Sequence, residues 1–360
     1  MKKIIFYEKF KSFGHRSYII DSIKNNFVSD TDYQIIVLCN NDKHENFLKT
    51  IIEFYKKKKI DYCHLLTFED CVNDFNDKKL LNEFLSLKIS LSATLFNFEF
   101  IQFLNILIPY KNFLLKNFFG TPEILLNLLK KNIIKKILIP DERVKNIFLY
   151  PFFNDKIEYL PDFTRFKIKK INKKKICEQL NIDYNIPTFL MFGKMDKYKG
   201  LKLLAEVINK NLISTELKLN FIIAGKNIER IKIKNANPNI NIIQYDKFIE
   251  TDLANKLFSI SDCVVMPFDK NFKQSSGTFS IACAYGKFII APRGGVICYR
   301  IKKYKNGILF KDENILSLAK QINKFIRIRN TLQYPILGSI EYSKLCSIEK
   351  YIDRLKKSFI

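Results

Sequence analysis

The sequence predicts an α/β protein with two doubly wound parallel sheets, and three observations carry that prediction. Short strand-like segments end at proline or glycine: the unbroken apolar runs Cys263–Met266 before Pro267 and Phe288–Ala291 before Pro292, and the largely apolar Thr188–Phe192 before Gly193 and Leu219–Ala224 before Gly225. Such runs suit strands buried on both faces, which leave no polar side to alternate with. Segments of helical character separate them, giving the β-α-β alternation of parallel sheets. Finally, 360 residues is long for one core, so two domains are expected. The basic stretch Phe166–Lys175 (FKIKKINKKK) reads as the linker, dividing residues 1–165 from residues 176–340, with a terminal helix over 341–360.

In the first half, Lys3–Tyr7 reads as a strand, Glu8–Gly14 as a loop, and His15 onward, through Tyr18, Ile19 and Ile23, as a helix. A strand, a glycine turn and a helix together present unpaired N–H groups to an anion. Gln34–Cys39 is the next strand, Phe47–Tyr55 a helix, Asp61–Leu66 a strand, and Leu80–Leu95 a helix. Between Phe100 and Ile139 the apolar clusters Phe113–Leu115 and Ile124–Leu129 are interleaved with Lys111, Lys116, Lys130, Lys131, Lys135 and Lys136. That pattern fits a helix lying on a membrane surface, and equally an amphipathic helix packed on the sheet. Lys136–Ile139 reads as a strand, Asp141–Tyr150 as a short helix, and Lys156–Pro161 as the last segment before the linker.

The second half opens with a helix over Lys175–Leu180. Strand Thr188–Phe192 leads into the loop Gly193–Gly200 (GKMDKYKG) and the helix Leu201–Asn209. Strands Leu219–Ala224 and Asn241–Gln244 and a helix Thr251–Ile260 follow. The stretch from Asp262 to Gly295 then organises the domain as strand, loop, helix and strand. Its loop ends in Ser275, Ser276, Gly277 and Thr278, small residues that let a ligand approach the backbone. The helix starting there aims its free N–H groups and positive dipole end into the same space. The plainer alternative is a serine helix cap with no ligand. Gly286 ends the helix. Gly307–Phe310, a helix over Asn314–Ile326 and a helix over Ser347–Phe359 complete the chain.

Composition excludes whole classes. Hydrophobic residues make up 47% of the chain, which rules out a disordered protein. Lys2 and Lys3 precede too short an apolar stretch for a secretory signal, and Phe100–Leu129 is broken by Pro109, Lys111, Lys116, Gly120 and Pro122, so no spanning helix is expected. The expected location is the cytoplasm, including peripheral attachment to the inner face of its membrane. Eight cysteines without a CxxC pair point to thiols, and Cys63, His64 and Cys71 lack a fourth ligand for a metal. Lys+Arg number 61 against 36 Asp+Glu, a formal charge of +25 that favours polyanions or an anionic membrane. Abundant Lys with Asn, Ile and Phe is also what A+T-rich coding would leave. The lysine run in the linker reads as solvated.

Four segments in register carry a resemblance: GKMDKYKG, FIIAGK, SDCVVMPF, and AYGKFIIAPRGG with YKNGILF, spanning Thr188 to about Phe325. Together they resemble a GT-B glycosyltransferase of the GT4 family (glycosyltransferases group 1). Glu8 with Gly14-His15, and YLPD at Tyr159–Asp162, resemble the family less specifically. The resemblance implies two Rossmann-like, doubly wound domains facing a cleft, the first for the acceptor and the second for a nucleotide-diphosphate sugar, with the terminal helix crossing back. It implies Lys194 and Lys199 as cations for the departing diphosphate. Gly14, Gly193, Gly225, Phe248, Ser275, Ser276, Gly277 and Thr278 become substrate-contacting residues. Cations and oriented N–H groups aimed at developing charge lower the barrier. No metal or cofactor is required, and nucleic acid is not an expected partner.

The family's Glu-x7-Glu pair is absent, since Lys273 and Ile281 occupy those places. Retention of configuration needs no carboxylate base, because the leaving phosphate can take the acceptor's proton. Inversion would make Glu8 or His15 the base. The resulting expectation is a retaining hexosyltransferase acting on a saccharide or lipid-linked acceptor in cell-surface polysaccharide or glycolipid assembly. A GT-B sugar-nucleotide epimerase, an inactive partner subunit and a basic nucleic-acid binder are the other readings, the last lacking an aromatic-basic recognition motif.

Overall fold

The computed structural model describes residues 1–9, 15–27, 32–39, 45–96, 121–146, 153–164, 172–235 and 237–359. The chain divides into two compact units, Met1–Asp162 with Ile348–Ile360, and Phe163–Ser347. Among the described residues each holds one six-stranded sheet, and every strand pair in both is parallel.

The first unit contains β1 (Lys2–Glu8), β2 (Tyr33–Cys39), β3 (Tyr62–Leu65), β4 (Ser90–Thr94), β5 (Ile134–Ile139) and β6 (Ile157–Tyr159), in the order β2-β1-β3-β4-β5-β6. Ile4, Ile5, Phe6 and Tyr7 of β1 are fully buried, so this strand is covered on both faces. Helix α1 spans His15–Phe27, α2 Phe47–Lys57, α3 Phe68–Cys71, α4 Lys78–Ser86 and α5 Thr121–Lys130. Side chains of Asn46 and Asp77 cap α2 and α4 by accepting from Leu48 N and Leu80 N, which satisfies amides the helices cannot bond internally.

The expected helix Leu80–Leu95 is corrected. It stops at Ser86, Lys88 adopts a left-handed φ of 54°, and Ser90–Thr94 forms β4. The strand escaped notice because two of its buried residues are polar. Ser92 Oγ and Thr94 Oγ1 sit 2.8 Å and 3.0 Å from the ring nitrogens of His64 on β3, so their partners come from the neighbouring strand. The helix expected over Asp141–Tyr150 is a 3-10 turn, Glu142–Asn146, and residues 147–152 lie outside the described residues. Lys136 does not belong to a free basic face: on β5 it pairs with Glu158 of β6 at 2.8 Å. Lys130 and Lys131 are exposed, while Lys111, Lys116 and the linker residues Phe166–Ile171 lie outside the described residues.

Helix Ile348–Lys357 brings the end of the chain onto this first unit. Phe359 is 1% exposed, its ring 5.7 Å from Phe6, 6.1 Å from His64, 6.0 Å from Tyr62 and 6.4 Å from Tyr33. The docking is therefore aromatic, on one face of β1, β2 and β3.

The second unit contains β7 (Thr188–Phe192), β8 (Leu219–Ala224), β9 (Ile240–Tyr245), β10 (Cys263–Val265), β11 (Phe288–Pro292) and β12 (Gly307–Phe310), in the order β12-β11-β10-β7-β8-β9. Alternate residues divide between two cores. Leu190, Ile222, Val264 and Ile289 enter one, and Phe189, Phe221, Cys263 and Ile290 the other. The helices are α6 (Lys173–Gln179), α7 (Leu201–Asn209), α8 (Thr251–Ile260), α9 (Gly277–Ala284), α10 (Gly295–Tyr304), α11 (Ile315–Ile328) and α12 (Leu337–Ser343), with α13 the terminal helix Ile348–Lys357 of the first unit. Among the described residues no helix is long and apolar enough to cross a membrane.

Candidate active site

In the second unit the chain leaves β7 for β8 on one side and later returns through β10 on the other. Loops diverge at the carboxyl ends of β7 and β10, the place where open parallel sheets bind ligands. Two glycines shape the floor. Gly193 (φ +111°) donates its N–H to Ala224 O at 2.9 Å, and Gly225 (φ +151°) donates to Tyr245 O at 3.0 Å. A Cβ on Gly225 would stand 1.9 Å from the Gly193 carbonyl oxygen, so these backbones meet directly and only glycine fits.

After Gly193 the chain turns back on itself. Asp196 accepts from Tyr198 N at 3.2 Å and starts the single 3-10 turn Lys197–Lys199. Gly200, left-handed at φ +72°, then lies against Pro267, where a Cβ would come within 1.7 Å of the carbonyl oxygen. This sharp reversal places the Lys199 Nζ 3.4 Å from Phe192 O, 3.4 Å from Thr278 Oγ1 and 4.8 Å from the centre of the Phe268 ring. Lys199 is thus a half-buried side chain. Burial pushes its pKa down to about 8, partly opposed by Asp196. Lys194 and Lys197 are exposed, and the Lys197 Nζ lies 4.8 Å from the Tyr198 ring centre.

Opposite Lys199 stands the start of α9. Ser276 is extended (φ −134°, ψ 122°) and makes no side-chain cap bond. The serine-cap alternative therefore fails at the residue placed to fulfil it. Among the described residues the N–H groups of Gly277 and Thr278 donate to nothing. Ser276 and Thr278 are buried, at 6% and 9% exposure. Gly193, Lys199 and Thr278 thus come together, with a cation and a hydroxyl at the first turn of α9. A cation and a hydroxyl beside unpaired helix amides suit an anion.

Other expected residues stand elsewhere. Phe248 is exposed, with the Lys226 Nζ 5.9 Å from its ring centre. Glu8, at the end of β1, is 1% exposed and accepts from Thr67 Oγ1 at 3.2 Å. His15 is the first residue of α1, and Gly14 lies outside the described residues. Cys63, His64 and Cys71 are buried, and both His64 ring nitrogens are engaged by Ser92 and Thr94. Lys273, in one missing-carboxylate position, has its Nζ 3.7 Å from Asp312 Oδ2; Ile281, in the other, packs against the core.

Sequence reasoning missed Arg300. It is fully buried, its Nη1 donates to Ser275 Oγ at 2.6 Å, and its guanidinium carbon lies 5.0 Å from the Tyr342 ring centre. In GVICYRIKKY an arginine beside two lysines reads as solvated. Only the flanking Tyr299 and Ile301 signalled otherwise.

The family model described as glycosyl transferases group 1 matches residues 172–336. None of the curated proteins compared matches the sequence. Among solved structures, a sucrose-phosphate synthase from Thermosynechococcus elongatus is 11% identical, with a TM-score of 0.71 over 99% of this chain and 98% of its own. A glycosyltransferase from Rickettsia africae is 17% identical (TM-score 0.66; 99% and 97% covered). Anabaena HepE in complex with UDP is 13% identical (TM-score 0.66; 99% of each chain covered). Residues 172–336 thus match the model of glycosyl transferases group 1, and the chain has the GT-B fold of these solved structures.

Proposed function

We propose that the protein moves a hexose or hexose derivative from a nucleotide-diphosphate sugar to a saccharide or lipid-linked acceptor, with retention of configuration. The observation that carries the reading is the meeting of Lys199 and Thr278 at the first turn of α9 beside Gly193. Solved relatives are consistent with it, since Anabaena HepE has been captured with UDP and with UDP-glucose. In the transfer, the bond from the anomeric carbon to the diphosphate oxygen breaks, and the acceptor oxygen bonds to that carbon on the same face. The acceptor's proton passes to the departing phosphate, so no side-chain base is needed. Lys199 and the α9 amides balance the charge that grows on the leaving group. The reaction draws on no metal or cofactor. Burial of Glu8 beneath Thr67 also favours retention, because an inverting base must reach the acceptor.

The first unit is assigned the acceptor, and the second the donor. Exposed Lys130 and Lys131 and the formal charge of +25 support attachment to the anionic inner face of a membrane, where the product would enter polysaccharide or glycolipid assembly. Screening nucleotide sugars by thermal shift, then following the anomeric proton of the first product by NMR, tests the central claim. No stabilisation by any nucleotide sugar would sink it, and an inverted product would overturn retention. Equal sedimentation with neutral and anionic vesicles would remove the membrane.

A further inference from the structure

We propose that Arg300 is a positioning residue for the donor diphosphate, acting through Ser275; the inference rests on the function proposed above. A helix start is ordinarily fixed by a cap side chain that bonds back to the first-turn amides. Ser276 holds the cap position of α9 and makes no such bond. The residue before it is held instead. Arg300 Nη1, from the middle of α10, donates to Ser275 Oγ at 2.6 Å, a short charge-assisted contact of the stronger kind.

The guanidinium is itself held in place. Arg300 has no exposed surface, and its planar group stacks at 5.0 Å on Tyr342, also fully buried, from α12. A guanidinium stays protonated at any working pH and presents its donors in a rigid fork. Ser275 is therefore tied to a fixed point in the core. That tie leaves the Gly277 and Thr278 amides unoccupied among the described residues, where a capping serine would have used one. Arg300 touches no ligand in this scheme. Its part is to fix the direction in which the loop presents its donors, and to add an unscreened positive charge beneath the site.

The test uses the full chain and UDP as probe, with titration calorimetry on wild type, Ser275→Ala, Arg300→Lys, Arg300→Met and the Ser275→Ala/Arg300→Met double variant. Ser275→Ala should weaken UDP about tenfold, Arg300→Met by at least as much, and the double variant no more than Arg300→Met alone, because both changes cut one link. Arg300→Lys should recover part of the loss. With a donor in hand, KM should rise more than kcat falls. A merely structural role would lower the melting temperature while leaving the UDP affinity of the folded protein unchanged, and that result overturns the proposal. So do losses that multiply in the double variant. Should Arg300→Met fail to fold, Ser275→Ala and Arg300→Lys decide alone: UDP affinity within twofold of wild type in both sinks the idea. If Lys199→Ala abolishes UDP binding while these variants keep it, the proposal falls and the functional reading stands. If wild type binds none of UDP, GDP and ADP, both fall.

Discussion

Lys199 and Thr278 lie 79 positions apart in the chain, yet the lysine Nζ rests 3.4 Å from the threonine Oγ1. The contact joins the loop that follows β7 to the first turn of α9. It also sets the ammonium in a place where water is scarce enough to bring its pKa to about 8.

Removing that ammonium should cost catalysis more than folding. Lys199→Ala is expected to lower turnover about a hundredfold or more, the scale of one preorganised charge-stabilising group. Lys194→Ala should act in the same direction, with the double variant losing less than the product of the two if both lysines serve one phosphate pair. Lys197→Ala, whose ammonium sits on Tyr198, is the control. Steady-state rates with a saturating acceptor give the answer; near-normal turnover in Lys199→Ala would separate this loop from the leaving group.

The lowered pKa makes donor binding sensitive to alkali. A diphosphate is held by the protonated lysine, so affinity for UDP should be steady below pH about 8 and decline above it, approaching tenfold per pH unit. Lys199→Arg keeps its charge throughout and should flatten that decline. Calorimetric titrations between pH 7 and pH 9.5 (roughly the window set by the shifted lysine) compare the two proteins directly.

The glycines of the site differ in what they tolerate. Gly200→Ala drives a Cβ to within 1.7 Å of the Pro267 carbonyl oxygen, a backbone atom that cannot turn aside. It should destabilise the protein by about 3 kcal/mol or more. A Cβ on Gly193 would meet the Lys199 Nζ at 3.1 Å, the mobile end of a side chain, although the φ of +111° is strained for any L residue. Gly193→Ala should therefore fold with a loss of about 1–3 kcal/mol and displace Lys199, weakening UDP. Urea denaturation and UDP titration read both effects, and equal stability of the two variants would contradict the geometry.

Acid should weaken the first unit through His64. Burial between Ser92 and Thr94 pushes its pKa down to about 3, against about 6.5 in the unfolded chain. The contribution is present above pH about 6.5 and is lost as pH falls, because the unfolded chain then takes up a proton that the fold refuses. The cost is about 1.4 kcal/mol per pH unit down to the folded pKa. His64→Gln should lose one proton's worth of that slope in denaturation experiments between pH 4 and pH 7, values bracketing the ordinary histidine range. Parallel slopes in the two proteins would show that His64 is charged in the fold.

Phe359 should hold the end of the chain in place. Phe359→Ala removes a ring packed among Phe6, Tyr33, Tyr62 and His64. The expected loss is about 3 kcal/mol, the low end for a buried phenylalanine. Proteolysis near α13 should accelerate with it. Unchanged stability would mean that the terminal segment is held by its helix alone.

Strands of the second sheet were legible in the amino-acid order with little error. Thr188–Phe192 and Leu219–Ala224 read as strands and are strands at those bounds, because both faces of the sheet are covered and the run itself is largely apolar. The strand Ser90–Thr94 was not legible. Its serine and threonine look solvated until His64 on the adjacent strand supplies their partner. Helix α10 was missed for a related reason, since Arg300, Lys302 and Lys303 interrupt its apolar pattern and one of these cations turns inward.

At the candidate site, sequence alone determined the local pieces: a glycine-bounded loop carrying lysines after β7, small residues before α9, and the missing carboxylates at Lys273 and Ile281. These are properties of short segments, fixed by backbone freedom and side-chain chemistry within a few residues. Tertiary structure decided which lysine of the loop is half-buried, that Ser276 leaves its helix uncapped, and that Arg300 grips Ser275. Burial and hydrogen bonding depend on atoms brought from Pro267, Phe268, Thr278 and Tyr342. Those neighbours are set by the order of strands in the sheet, which no local pattern encodes.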